Sequence, residues 1–174
     1  MRNKSTTATL CAIATAFTAW SCDVDRSVSA MGGNETQQFL ETAASANKFE
    51  VESGRLAAQK ATDPQLRAFG EQMVADHAKA GQELQALAAR KGVTLPIAMS
   101  DAHQKKLETL REEQPGKDFD QEFRDQMVDS HEQAVSLFED TAKDAKDPEV
   151  KSFAAKLLPT LQHHEDQANA LPKA

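Results

Sequence analysis

Tyrosine is missing from these 174 residues, tryptophan occurs once and cysteine twice. Aromatic residues make up only 5%, so strand formers are scarce, while Ala, Gln, Glu, Lys and Leu abound. That is the composition of helices. The missing tyrosine also removes a usual redox relay. Positive charge is in deficit. The formal net charge is −7, and the basic residues are interleaved with acids, as on solvated helix faces. Nucleic acid, which needs clustered Lys and Arg, is excluded as a partner. There is no glycine-rich phosphate loop, no serine elbow and no CxxC pair. A chain of this length, 40% hydrophobic and 27% charged, suits one domain with a real core.

The first residues read as a targeting segment. Arg2 and Lys4 supply a positive start, and residues 8–20 form an uncharged run too short for a mature membrane span. The run ends in Ala19-Trp20-Ser21-Cys22, similar to a lipoprotein signal in which Cys22 is freed and lipidated. Cys11 lies in the removed part, so Cys22 would have no disulfide partner, and a lone free thiol is rarely kept in an oxidising compartment. The expected division is a signal peptide at 1–21, a flexible tether at 22–37 containing Gly32-Gly33, and a bundle domain at 38–172. The protein is then a lipoprotein on the periplasmic side of the cell envelope, its partner the membrane, reached through the lipid on Cys22. Ordinary cleavage would instead leave it soluble in the periplasm.

Helical periodicity fills the rest. The first helix covers about 35–61, with Phe39, Ala43, Ala46, Glu50 and Ala57 in one stripe. Asp63-Pro64 then caps the second, which carries Phe69, Met73, His77, Leu84 and Leu87 and stops at Gly92. The connection that follows holds a short helix at about 100–113 and a Pro115-Gly116 break. The third helix starts with Asp118 as cap and carries Phe119, Phe123, Met127, His131 and Phe138. Asp147-Pro148 opens the fourth, with Val150, Leu157, Leu161 and His164 in its stripe and Pro159 expected to kink it or free a carbonyl. Phe-Met-His recurs at the same spacing in Phe69/Met73/His77 and Phe123/Met127/His131, so two helices bury the same kind of face. The expected fold is all-α: a ferritin-like four-helix bundle with a short extra helix between helices two and three.

The segments Phe49-Glu50-Val51-Glu52, Lys60-Ala61-Thr62-Asp63-Pro64, Met73-Val74-Ala75-Asp76-His77, Lys91-Gly92-Val93-Thr94-Leu95-Pro96 and Leu158-Pro159-Thr160-Leu161-Gln162-His163-His164, with Phe119 and His131, form a further pattern. Over roughly 39–171 the chain resembles an exported bacterial family, domain of unknown function 4142, often labelled an outer membrane protein. The resemblance implies a ferritin-like bundle and no particular activity.

Spacing locates one spot for chemistry. Glu50 lies thirteen residues before Asp63 and His77 fourteen after it; His131 lies sixteen before Asp147 and His164 seventeen after it. At 1.5 Å per residue these sit roughly 20 and 25 Å from their turns, near mid-bundle. All four lie on apolar stripes, so they should converge. One carboxylate and three neutral imidazoles form a ligand set for a single zinc, copper or iron ion. A di-iron site needs Glu-x-x-His pairs, but Val74, Val128 and Leu161 stand three residues before the histidines, and so no oxidase chemistry is expected. His103 and His163 read as surface residues, and Asp76, Glu132 and Glu165 as solvent-facing.

Besides a metal-dependent oxidase, which would need acids near the histidines that the sequence does not supply, two readings follow. One is a binding module that holds a metal ion for sequestration or stress protection. The other is a structural or interaction protein in which Glu50 and the histidines form a buried hydrogen-bond network without metal. Burial should lower the histidine pKa values and Glu50 should raise that of its neighbour, so acid should loosen the bundle.

Overall fold

The computed structural model describes residues 23–173, with side chains from residue 33 onward. The expected signal segment and Cys22 lie outside the described residues. Among the described residues five helices run in order: α1 Asp23–Lys60, α2 Pro64–Arg90, α3 Asp101–Glu112, α4 Lys117–Asp144 and α5 Pro148–Ala170. None of them is long and apolar enough to cross a membrane.

The capping devices act as their chemistry requires. Asp63 Oδ1 accepts from the backbone N–H groups of Gln65 and Leu66 at 2.7 and 3.4 Å. Asp147 Oδ1 does the same for Glu149 and Val150 at 2.9 and 3.2 Å. In each case proline takes a first-turn position whose N–H needs no partner. α4 departs from expectation. Its cap is Gly116, without a side-chain bond, and Asp118 sits in the first turn. Gly116 has φ +154°, a conformation that glycine adopts at no steric cost. α1 also begins well before residue 35, at Asp23, so the stretch expected as a tether is helical. Thr36 and Phe39 are buried, and packing therefore already holds the end of that stretch. α5 runs unbroken through Pro159. Pro159 and Ala155, whose carbonyl loses its donor, are both exposed, so water can satisfy that carbonyl.

Tertiary contacts fix the topology as ferritin-like. α1 and α2 form one antiparallel hairpin and α4 and α5 another. Across the seam, Phe39 meets Phe138 and Ser130 bonds Glu50, so α1 and α4 are antiparallel. Arg90 pairs with Glu149 and Gln72 with Gln167, so α2 and α5 are antiparallel too. The two tight turns therefore lie at opposite ends, and the connection carrying α3 runs the length of the bundle. α3 packs on α1 and α4 through buried Leu107 and Leu110.

Close approach within the first hairpin depends on two glycines. A Cβ on Gly54 would lie 2.6 Å from the carbonyl oxygen of Gly70, and one on Gly70 would lie 2.8 Å from that of Gly54. At the far end of α1, buried Asp120 of α4 accepts from Thr62 N at 2.9 Å, from Asp63 N at 3.0 Å and from the Thr62 hydroxyl. This ties the start of α4 to the α1–α2 turn.

The core falls into two apolar clusters. One, with Phe49, Leu66, Phe69, Met73, Phe119, Phe123 and Met127, lies towards the α1–α2 turn. The other, with Phe39, Leu40, Leu84, Leu87, Phe138 and Leu161, lies towards the α4–α5 turn. Each large apolar side chain so buried contributes roughly 1.5–3 kcal/mol. Between the clusters a polar layer interrupts the core at mid-height.

Candidate metal centre

Three histidines occupy that layer. His77 follows Met73 by one turn on α2, His131 follows Met127 by one turn on α4, and His164 precedes Ala168 by one turn on α5. They are 6%, 1% and 1% exposed. Their ring centroids form a nearly equilateral triangle: His77–His131 5.8 Å, His77–His164 5.5 Å and His131–His164 5.6 Å. One ring nitrogen from each lies within 4.8 Å of the other two.

Hydrogen bonds fix which nitrogen faces inward on His131 and His164. His131 Nδ1 donates to the Met127 carbonyl at 2.8 Å, which leaves Nε2 with a lone pair. His164 Nε2 donates to Asp76 Oδ2 at 3.0 Å, which leaves Nδ1 bare. His131 Nε2, His164 Nδ1 and His77 Nε2 are all buried without a hydrogen-bond partner. A buried polar atom without a partner costs about 1–3 kcal/mol, so apolar residues would make a more stable layer here. Orienting a ligating imidazole through its far nitrogen is the arrangement that metal sites use.

Glu50 is near but outside this set. It is 3% exposed and lines the same cavity as the histidines. The Ser130 hydroxyl donates to its Oε1, and its Oε2 is buried without a partner. Among the described residues, the group with ligand geometry contains the three histidines and not Glu50. The expected four-residue convergence is therefore three imidazoles with a carboxylate alongside. Ser130, one residue before His131, turns that carboxylate towards α4. A hydrogen-bond network between Glu50 and the histidines does not form: Glu50, His131 and His164 bond to other groups, and the inward atoms stay unpaired.

Two residues read as surface groups belong elsewhere. Asp76 reaches across from α2 to His164 on α5, with 43% of its side chain still exposed. It sits at the same height as the histidines and about 100° around the helix from His77, on the flank facing α5; the height argument that found His77 would have found it too. His103 is half-buried, shares a hydrogen bond with Ser45 Oγ at 2.7 Å and stacks on Phe49 with centroids 5.3 Å apart. It anchors α3 to α1. Glu132 and His163 are exposed as expected.

The electrostatics follow from burial. His77 is pushed from its ordinary 6.5 down to about 3, first by desolvation and then by the neighbouring His131 and His164. Desolvation also lowers His164, partly offset by its bond to Asp76. The Glu50 carboxyl is raised by burial, against the opposing pull of His131, Ser130 and Lys106. Neutral imidazoles with inward lone pairs are the form that binds metal ions. An ion with Zn–N bonds of roughly 2.0–2.1 Å needs nitrogens about 3.4 Å apart, so the three rings would have to swing inward slightly.

A helical bundle with a buried trio of histidines, flanked by one acid and oriented by another, defines a class of candidate ion-binding bundles. Residues 25–171 match the family described as Domain of unknown function (DUF4142), and the chain belongs to that family. Similar solved structures share the bundle. "CopM in the Cu(II)-bound form" is 20% identical with a TM-score of 0.64, the match covering 78% of this chain and 93% of that one. The "CopM in the apo form" structure is also 20% identical over the same shares, at a TM-score of 0.61. A DUF305 fragment from Deinococcus radiodurans is 15% identical, again over 78% and 93%, at a TM-score of 0.68. No curated protein matches significantly.

Proposed function

We propose that this protein is a metal-binding bundle in which His77, His131 and His164 hold one transition-metal ion. The observation that carries the reading is three buried imidazole nitrogens within 4.8 Å of one another, all without a protein partner. Lone pairs that face each other repel, and a cation resolves the conflict. An all-nitrogen set without a ligating carboxylate suits copper or zinc better than iron. Copper gains further support from the similar CopM structures in Cu(II)-bound, Cu(I)-bound and Ag-bound forms. Glu50 would balance charge beside the ion, and Asp76 would hold His164 in its ligating tautomer. Sequestration or stress protection is the role that fits a buried site without the Glu-x-x-His pairs of oxygen-activating di-iron centres.

The sequence signal at Cys22 supports placing this bundle on the periplasmic side of the cell envelope, anchored through a lipid on that cysteine.

The test is elemental analysis of the full chain, purified without added metal and then loaded with copper or zinc and dialysed. One ion per chain is expected, with none retained by His131→Leu or His164→Leu. Metal well below stoichiometry in the unaltered protein, together with no thermal shift on adding copper or zinc, would refute the site.

A further inference from the structure

The histidine layer opens into a chamber far larger than an ion requires. Its volume is about 240 Å³, and it extends from the histidines towards the α4–α5 turn. A dry apolar cavity of roughly 150 Å³ already holds benzene. Small residues from three helices, Ala46, Ala80 and Ala134, leave the space open, and Leu84, Phe138 and Phe153 line its far end. The rim carries exposed Lys79 and Lys156. Lys156 pairs with Glu83 at 2.7 Å across the α2–α5 seam.

The two ends of the chamber demand different chemistry. The far end is apolar. The near end offers bare acceptors, the inward nitrogens of His131 and His164, whose other nitrogens are committed to the Met127 carbonyl and Asp76, with the unpartnered His77 Nε2 and Glu50 Oε2 beside them. Among the described residues nothing donates to either one. A guest that satisfies both ends is neutral, has a flat or short apolar body and carries one N–H or O–H at its tip.

We propose that this chamber binds a small phenol- or indole-class molecule, its apolar body along Ala46, Ala80 and Phe138 and its donor head on the inward histidine nitrogens. The nitrogens are those assigned above to the ion, so guest and ion exclude one another, and by linkage each weakens the other's binding. The guest's hydrogen bond would need no metal, which makes this inference separable from the metal reading.

The experiment is calorimetric titration of the full chain, dialysed free of metal, with indole and with benzofuran, which keeps the shape and lacks the N–H. Indole is expected to bind at one per chain and at least about tenfold more tightly than benzofuran, the loss that follows when a buried hydrogen-bonding group is left without its partner. Ala46→Leu and Ala80→Leu, each checked for an unchanged helical signal, should each weaken indole about tenfold by filling the chamber. Zinc added to the indole complex should release the indole. Equal affinities for the two probes, no binding of either, unchanged affinity in both folded leucine variants, or zinc and indole bound together would each overturn the proposal. A chain that binds indole as expected yet retains no metal sinks the metal reading alone. A chain that retains one ion but shows no preference for indole sinks this inference alone.

Discussion

Asp76 and His164 stand on different helices of different hairpins, and a single 3.0 Å hydrogen bond joins them. That bond decides which nitrogen of His164 faces His77 and His131. Asp76→Asn is nearly isosteric, but its amide can also present a donor and so frees the ring to change tautomer. The expected result is metal affinity about 10–100-fold weaker with the site still occupied at high metal. Competition against a coloured chelator measures it, and an unchanged affinity would show that Asp76 has no part in orienting the ring.

His77→Leu should separate stability from binding. It replaces a buried, unpartnered nitrogen by an apolar side chain of similar reach between two apolar clusters. The metal-free variant is expected to melt at or above the unaltered protein, by up to about 1 kcal/mol, while losing ion retention. A clear drop in metal-free stability would mean that His77 serves the fold.

The pH dependence has a definite sign. Unfolded His77 takes up a proton near 6.5, and folded His77 resists until about 3. Between those values the unfolded state holds more protons, so stability falls on acidification. Glu50 works the other way. Its raised folded pKa gives a contribution that is present below 4.5 and lost as pH rises through the folded value. The clean observable is therefore a difference. Relative to His77→Leu, the unaltered protein should lose about 1.4 kcal/mol per pH unit between pH 6 and 4. Parallel denaturation profiles for the two proteins over that range would contradict it.

Gly54→Ala should be costly because its Cβ meets backbone, not a flexible side chain, at 2.6 Å. A loss of about 1–3 kcal/mol is expected from urea denaturation. Gly33→Ala, where an added Cβ meets nothing within 4 Å, is the control and should be neutral or slightly stabilising.

Asp120→Ala strips the acceptor from two backbone N–H groups and one hydroxyl at the α1–α2 turn. It should destabilise the chain by about 2–3 kcal/mol, with metal affinity in the folded protein little changed. A combined loss of affinity and stability would indicate that this end of the bundle also sets the histidine geometry.

These predictions rest on features of unequal legibility. The helices and caps were readable because Asp63-Pro64, Asp147-Pro148 and Gly92 act locally, within one turn of the chain. The histidine layer was readable because rise per residue converts spacing from a turn into height. That arithmetic gives height and not azimuth; azimuth was read from the apolar stripes, which is why Glu50 fell among the ligands and Asp76 in solvent. Glu50 is captured by Ser130, eighty residues away, and Asp76 by His164, eighty-eight residues away. Such pairings depend on how the hairpins rotate against each other, and no single-helix periodicity records that. The Asp120 tie and the stack of His103 on Phe49 were hidden for the same reason: both are made by elements far apart in the chain. The start of α4 was misplaced by two residues because glycine at positive φ caps a helix without the side chain a reader looks for.

The ferritin-like crossover has a consequence for assembly. One hairpin brings His77 and the other brings both His131 and His164, so neither half owns a complete site. Each hairpin can zip from its own short turn, but the trio exists only after the halves have docked in register. An ion there would act as a rivet through the joint. Its capture would report that docking is finished, and its removal would be felt first as slippage along the seam while both hairpins stay intact.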